Sequence, residues 1–234
     1  MKKILPLFGL FLLLLLSSCT VTQVLEVQAL DAYHTDFAFT AEEFFLAVLE
    51  DFSDFSEEKS DQELLDQAIG EFAYSLRMSP SAHQVLVYRY EERSYTGSLF
   101  IDDLEQLLVE LGAGPRQSLM KTREDSLHFF LSLENYDQLV PVLPFLSDPN
   151  FEAFGPRYNE GLNEEDYLEM ISFMLGEEGV PAIEESSVTL VIKTPLPISS
   201  AVGGEIVDSH TFIFSFPLID FLLLAEPLTF TLWW

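Results

Sequence analysis

The chain has 234 residues, 39 of them acidic against 11 basic, for a formal charge of −28. That balance excludes nucleic-acid binding, which depends on neutralising phosphates with Lys and Arg, and no basic cluster occurs here. Hydrophobic residues make up 48 % of the chain, with 21 Phe, so a disordered chain is excluded and charge must segregate from apolar surface.

At the start, Lys2 and Lys3 form a basic head and Ile4 to Leu16 an apolar run interrupted by Pro6 and Gly9. Leu16-Ser17-Ser18-Cys19 then closes it with small residues before the single cysteine. As a helix, the run would rise roughly 20 Å, short of a hydrocarbon core of roughly 30 Å, so a lasting membrane span is not expected. An ordinary secretory signal does not require a cysteine at this place. The pattern resembles the leader and lipobox of bacterial lipoproteins, which implies cleavage between Ser18 and Cys19. It also implies a diacylglyceryl thioether on Cys19 and a fatty acyl group, such as palmitate, on the freed amine. Each buried methylene contributes about 0.8 kcal/mol, so two or three chains anchor stably. Thr20 stands where, in such lipoproteins, an Asp favours retention in the inner membrane, so the resemblance implies the outer membrane of the cell envelope.

Without residues 1–18 the chain keeps 9 basic and 39 acidic side chains, a formal charge of −30. A tethered body of this charge is expected to stand off anionic headgroups over a Debye length of roughly 8 Å. With Cys19 carrying lipid, no thiol is left for a disulfide, and the fold relies on packing.

From Val21 to Leu30 the chain alternates loosely. Thr40 and Glu43 then form a capping box for a helix whose apolar face is Phe44, Phe45, Val48, Leu49, Phe52 and Phe55. A second box, Ser60 with Glu63, opens a helix with Leu65, Ile69, Phe72 and Leu76 inward, and the two helices are expected to form a hairpin ended by Ser79-Pro80-Ser81. Val85 to Tyr90 and Tyr95 to Ile101 read as strands around a turn at Glu91-Glu92-Arg93-Ser94. Asp102 to Leu111 reads as a helix with Gly112 past its end, and Gly114-Pro115 breaks the chain. Ser118 to Lys121 and Ser126 to Leu133 follow as strands, the second placing Leu127, Phe129, Leu131 and Leu133 on one face.

Tyr136 to Val140 reads as a short helix, and Pro141, Pro144 and Pro149 impose an extended connection. Asn163 caps a helix ending at Leu175-Gly176, with Tyr167, Ile171, Met174 and Leu175 inward. No basic residue occurs between Arg157 and Lys193, so the acids of this helix are expected to face solvent. Val188 to Lys193, Thr211 to Phe216 and Leu228 to Trp234 are strand-like, Ser199 to Gly204 a flexible turn, and Pro217 to Leu224 a buried turn or short helix.

This tail runs from Val188-Thr-Leu-Val-Ile-Lys193 through Thr194-Pro195, Ile198, Gly203-Gly204-Glu205 and Thr211-Phe-Ile-Phe-Ser-Phe216 to Trp233-Trp234. It resembles the β-rich end of LppM-type envelope lipoproteins over about the last fifth of the chain. Together with the lipobox, the amphipathic helices and the loop Phe154 to Asn159, it is similar to uncharacterised lipoprotein families of diderm bacteria, which imply no particular activity.

Catalytic signatures are absent from the sequence: none of His34, His83, His128 or His210 has a second His four residues on, and there is no Gly-x-Ser-x-Gly elbow or phosphate-binding Gly-rich loop. His128 lies on the less apolar face of its strand and reads as surface or structural. Acid pairs such as Asp51 with Asp54, and Glu164-Glu165-Asp166, read as a solvated face rather than a catalytic dyad or calcium loop. No metal or cofactor site is expected. Phe212, Phe214, Phe216, Phe221 and Trp233 either line an apolar ligand cavity or form core, burial being the default for such residues. Gly155-Pro156 makes a turn that leaves Arg157 and Tyr158 available to a partner.

The expected architecture is one α+β domain over residues 19–234, β-rich from about residue 186, with an antiparallel sheet covered on one face by amphipathic helices. The function these observations favour is a non-enzymatic, lipid-anchored envelope protein that is structural or meets a protein partner. A carrier of apolar ligands, lipids above all, comes second, and a hydrolase without a recognised motif third.

Overall fold

The computed structural model describes residues 20–29, 32–41, 61–143, 146, 152–177 and 179–234. The leader, Ser18, Cys19, the acid pair Asp51/Asp54 and the helix expected over Phe44 to Phe55, with the hairpin it would form, lie outside the described residues.

In chain order the strands are β1 (Thr20–Ala29), β2 (Ala32–Thr40), β3 (Ala82–Glu91), β4 (Ser94–Ile101), β5 (Met120–Arg123) and β6 (Ser126–Leu131). They continue as β7 (Ser187–Lys193), β8 (Ser200–Val202), β9 (Glu205–Ile206), β10 (Thr211–Pro217) and β11 (Leu228–Trp233). The helices are α1 (Asp61–Met78), α2 (Leu104–Leu108), α3 (Tyr136–Leu139), α4 (Glu164–Leu175), α5 (Gly179–Glu184) and α6 (Leu218–Leu223).

The α+β class expected from the sequence holds, and its strands divide between two sheets. A seven-stranded sheet has the order β3-β4-β2-β1-β7-β10-β9, and a four-stranded one the order β5-β6-β11-β8. Every pair is antiparallel except β1 with β7. Parallel neighbours need a crossover, and everything between β1 and β7 supplies it.

Strand β2 was not expected. Its alternation is plain: Tyr33, Thr35, Phe37 and Phe39 share the core face, opposite Ile101, Leu99, Gly97 and Tyr95 of β4. Thr40 ends that strand, and its hydroxyl hydrogen-bonds that of Ser94 at 3.0 Å; the helix it is expected to cap lies outside the described residues. Helix α1 lies over this face with Leu65 and Leu76 buried as the spacing predicts and Ala73 buried beside them; Ile69 and Phe72 are partly buried, and Phe72 meets Phe37 edge-on at 6.3 Å. Beneath its first turns Tyr95 donates to Asp66 at 2.5 Å. Burial first, and then that bond, push the Tyr95 phenol up to about 12.

Leu25, Ile192 and Phe212 of the larger sheet and Leu127, Leu131, Phe230 and Leu232 of the smaller one belong to one buried core. Each such side chain contributes about 1.5–3 kcal/mol on burial. The sheets join where Gly203 and Gly204 carry the chain from β8 to β9, at φ of 71° and 101°. Ser199 to Gly204 is thus a strand and a corner instead of a plain turn. A Cβ on Gly204 would fall 2.6 Å from the Ile213 carbonyl oxygen, so only glycine fits.

Helix α2 ends at Leu108 and continues as a π turn, Val109–Ala113, in which Gly112 takes φ of 107°. Glu110 on that turn accepts hydrogen bonds from the Ser79 hydroxyl and from the Ser81 amide and hydroxyl, the latter two at 3.0 Å. It thereby fastens the end of α1 to the start of β3. A second buried cluster, Phe154, Tyr167, Ile171, Ile183, Ile219 and Leu223, joins α4, α5 and α6. Asn163 caps α4 as expected, its side chain accepting from the Asp166 amide. Met174, expected inward, is 47 % exposed and Phe173 92 %.

Candidate functional site

Of the aromatic residues singled out by sequence, Phe212, Phe214 and Phe216 point into the space between the sheets from alternate positions of β10. Phe212 stands 5.3 Å from Phe230 by ring centroids, Phe214 5.1 Å from Phe230 and 5.9 Å from Phe129, and Phe216 5.4 Å from Phe214. These tilted contacts are the favoured geometry for packed rings. Phe221 on α6 meets Tyr136 at 6.2 Å. Trp233 is not among them: on β11 Leu228, Phe230 and Leu232 face the core, so Trp233 falls on the opposite face. That face also holds His128, whose Nδ1 shares a 2.8 Å hydrogen bond with the Thr231 hydroxyl.

The loop Phe154 to Asn159 is clamped from within. Asn159, 1 % exposed, donates through Nδ2 to the carbonyls of Phe154 and Leu222, and the Tyr167 hydroxyl donates to the same Phe154 carbonyl at 3.3 Å. Burial pushes the Tyr167 phenol well up. Arg157 is engaged: Nε donates to Asp137 Oδ1 at 2.9 Å and Nη2 to Oδ2 at 2.5 Å, a bidentate ion pair to α3. Tyr158 beside it is 66 % exposed.

The outer face of the seven-stranded sheet carries a polar cluster that sequence reasoning missed. Cross-strand register assembles it: Glu26 pairs with His34 and with Lys193, His34 with Phe100, and Asp36 with Ser98. Lys193 donates to Glu26 at 2.7 Å. That bond holds the Glu26 carboxyl below the usual range and lifts the Lys193 ammonium. His34 Nε2 and the Ser98 hydroxyl share a 2.9 Å hydrogen bond, and the imidazole lies 4.7 Å from the Phe100 ring. His34 Nδ1 is 3.7 Å from Asp36 and 3.8 Å from Glu26.

The order hydroxyl, imidazole, carboxylate has the connectivity of a nucleophile, base and orienting acid. The imidazole-to-carboxylate spans exceed hydrogen-bond length. Neighbouring backbone amides are engaged in the β1–β2 and β2–β4 ladders, so they offer no donors to a developing oxyanion. The cluster is a polar patch in which one ammonium, Lys193, faces two carboxylates, Glu26 and Asp36. The signal was the polar set His34 and Asp36 interleaved with Tyr33, Thr35 and Phe37, legible only once β2 is recognised as a strand. Among the described residues no group of three or more His, Cys, Asp or Glu converges to hold a metal.

At one end of this sheet a recess of about 230 Å³ is lined by Glu184, Glu185, Ser186, Ser187, Ser215, Phe216 and Pro217. Ser187 opens β7 and pairs with Pro217 of β10 and with Thr20 of β1. The recess therefore lies beside the strand residue that directly follows Cys19.

Fold and site together describe an α+β protein of two facing sheets with an acidic exterior. No family model matches the chain, and no curated protein matches it. Among solved structures it is similar to the folded domain of LppM from Mycobacterium tuberculosis, determined by NMR, at 12 % identity and a TM-score of 0.39, over 92 % of this chain and 87 % of that one. At this distance the likeness transfers neither activity nor ligand. Among the described residues no helix is long and apolar enough to cross a membrane.

Proposed function

We propose that this chain is a non-enzymatic, lipid-anchored protein of the cell envelope that meets a protein partner through its acidic, Tyr-bearing exterior. One observation carries the reading: the basic head and apolar run end in Leu16-Ser17-Ser18-Cys19, the pattern of a leader whose removal leaves a cysteine at the new N-terminus. Exposed Tyr158 and Phe173 supply the apolar contact area that protein interfaces use. The mutual packing of Phe212, Phe214, Phe216 and Phe230 supports core over carrier for these rings.

Metabolic labelling with an alkynyl fatty acid tests the anchor. The wild-type chain is expected to take up label and lose its leader, and Cys19→Ser to do neither. Unlabelled wild-type protein sinks the reading. Cross-linking in intact envelopes tests the partner, and a defined adduct lost on Tyr158→Ala is the expected result. Thr20 supports an outer-membrane address, to be read by membrane fractionation.

A further inference from the structure

We propose that the lipid tether has no slack, and that Cys19 holds one end of the seven-stranded sheet, marked by Thr20, Ser187 and Pro217, directly against the headgroups of the bilayer it enters. The inference rests on the lipidation of Cys19 put forward above. It adds an orientation and a contact surface.

The geometry is short. Adjacent α-carbons lie about 3.8 Å apart, so the lipid-bearing residue is one step from Thr20. Thr20 is already in the ladder, opposite Ser187, and Ser187 is in turn opposite Pro217. Neighbouring strands lie about 4.8 Å apart, which puts all three residues within roughly 10 Å across the sheet. Their end is locked from behind as well: the Leu218 amide donates to the Ser186 carbonyl at 2.9 Å, and the Ala41 amide to the Arg93 carbonyl at 3.0 Å, closing the same ends of β2 and β4. A residue held in a ladder cannot serve as a flexible leash.

Charge sets the opposite tendency. A body of this net charge is repelled from an anionic surface over a Debye length of roughly 8 Å, and with a long linker it would float clear. A one-residue step does not span that distance. The near end must touch while the rest of the molecule leans away. Along β7, at about 3.3 Å per residue, the far end at Lys193, Glu26 and Thr211 stands roughly 20 Å higher. Glu184 and Glu185 line the recess at the near end, so the surface suits neutral headgroups better than anionic ones.

The test uses the processed, lipidated full chain in vesicles of phosphatidylethanolamine and phosphatidylcholine containing headgroup-spin-labelled lipid. A fluorophore is placed at Glu185→Cys, beside the recess, or at Ser209→Cys, in the loop before β10 at the far end; the sulfur of Cys19 is occupied by lipid and does not compete. Several-fold stronger quenching at position 185 than at 209 is expected. Insertion of about 20 Gly/Ser residues after Cys19, a coil of roughly 25 Å, is expected to abolish the difference while the protein still floats with the vesicles. Protein that floats with both positions quenched alike, or with the difference surviving the insertion, overturns the docking proposal alone. Protein that does not float overturns the lipid anchor and this proposal with it.

Discussion

Asn159 donates to the backbone carbonyls of both Phe154 and Leu222, at 2.7 and 3.2 Å, and so ties the loop before α4 to the end of α6. Helices α4 and α6 bury Tyr167, Ile171, Ile219 and Leu223 against each other and Phe154, while Phe221 of α6 packs against the main core. One amide thus stitches the satellite cluster at its rim.

Asn159→Ala leaves both carbonyls without this donor in a buried site, at a cost of about 2 kcal/mol. A lower urea midpoint with an unchanged slope is expected. Asn159→Asp, which cannot donate and brings a buried charge, is expected to cost more. A midpoint unmoved by either substitution would show that the stitch contributes nothing.

The corner between the sheets makes a sharper comparison. Gly203 and Gly161 both have positive φ, 71° and 86°, but a Cβ on Gly203 would fall on the Thr229 carbonyl oxygen, whereas nothing lies within 4 Å of one on Gly161. Gly161→Ala carries only the conformational cost, about 1–2 kcal/mol. Gly203→Ala adds a clash with rigid backbone and is expected to cost at least about 3 kcal/mol. Thermal melts of the two variants check the difference, and equal shifts would mean that the corner yields.

Acid dependence follows from Glu110. Burial acts to raise its carboxyl, but the hydrogen bonds from Ser79 and Ser81 outweigh burial and hold it below the usual carboxylate range. The unfolded chain therefore takes up this proton at higher pH than the folded one. The stabilisation is complete above the unfolded value and is lost as pH falls through the folded one. Glu110→Gln, which keeps the shape but not the charge, is expected to be less stable than wild type by about 1 kcal/mol near neutrality. The gap should close between about pH 5 and pH 3 in paired denaturant titrations. A gap independent of pH would assign the clasp to shape instead of charge.

Periodicity made much of the molecule legible. Leu65, Ile69, Phe72 and Leu76 at helical spacing foretold α1, Asn163 three residues before Asp166 foretold the cap of α4, and Phe212, Phe214 and Phe216 foretold the inward face of β10. Where pattern misled, two signals competed. The alternation of Tyr33 to Phe39 marks β2 but runs directly into the helical spacing that follows Thr40, and Trp233 shares its residue type with rings that strand parity puts on the other face.

Local chemistry, acting over a few bonds, was enough to reveal the acidic exterior and most of the described helices and strands, because capping and alternation are read from neighbours in the chain. Which strands meet is a matter of long-range pairing. The parallel match of Thr20 with Ser187, the union of Glu26, His34, Asp36, Ser98 and Lys193 on one face, and the Arg157–Asp137 pair arise only when distant segments take up register. Burial of the whole core selects that register, and no single segment encodes it.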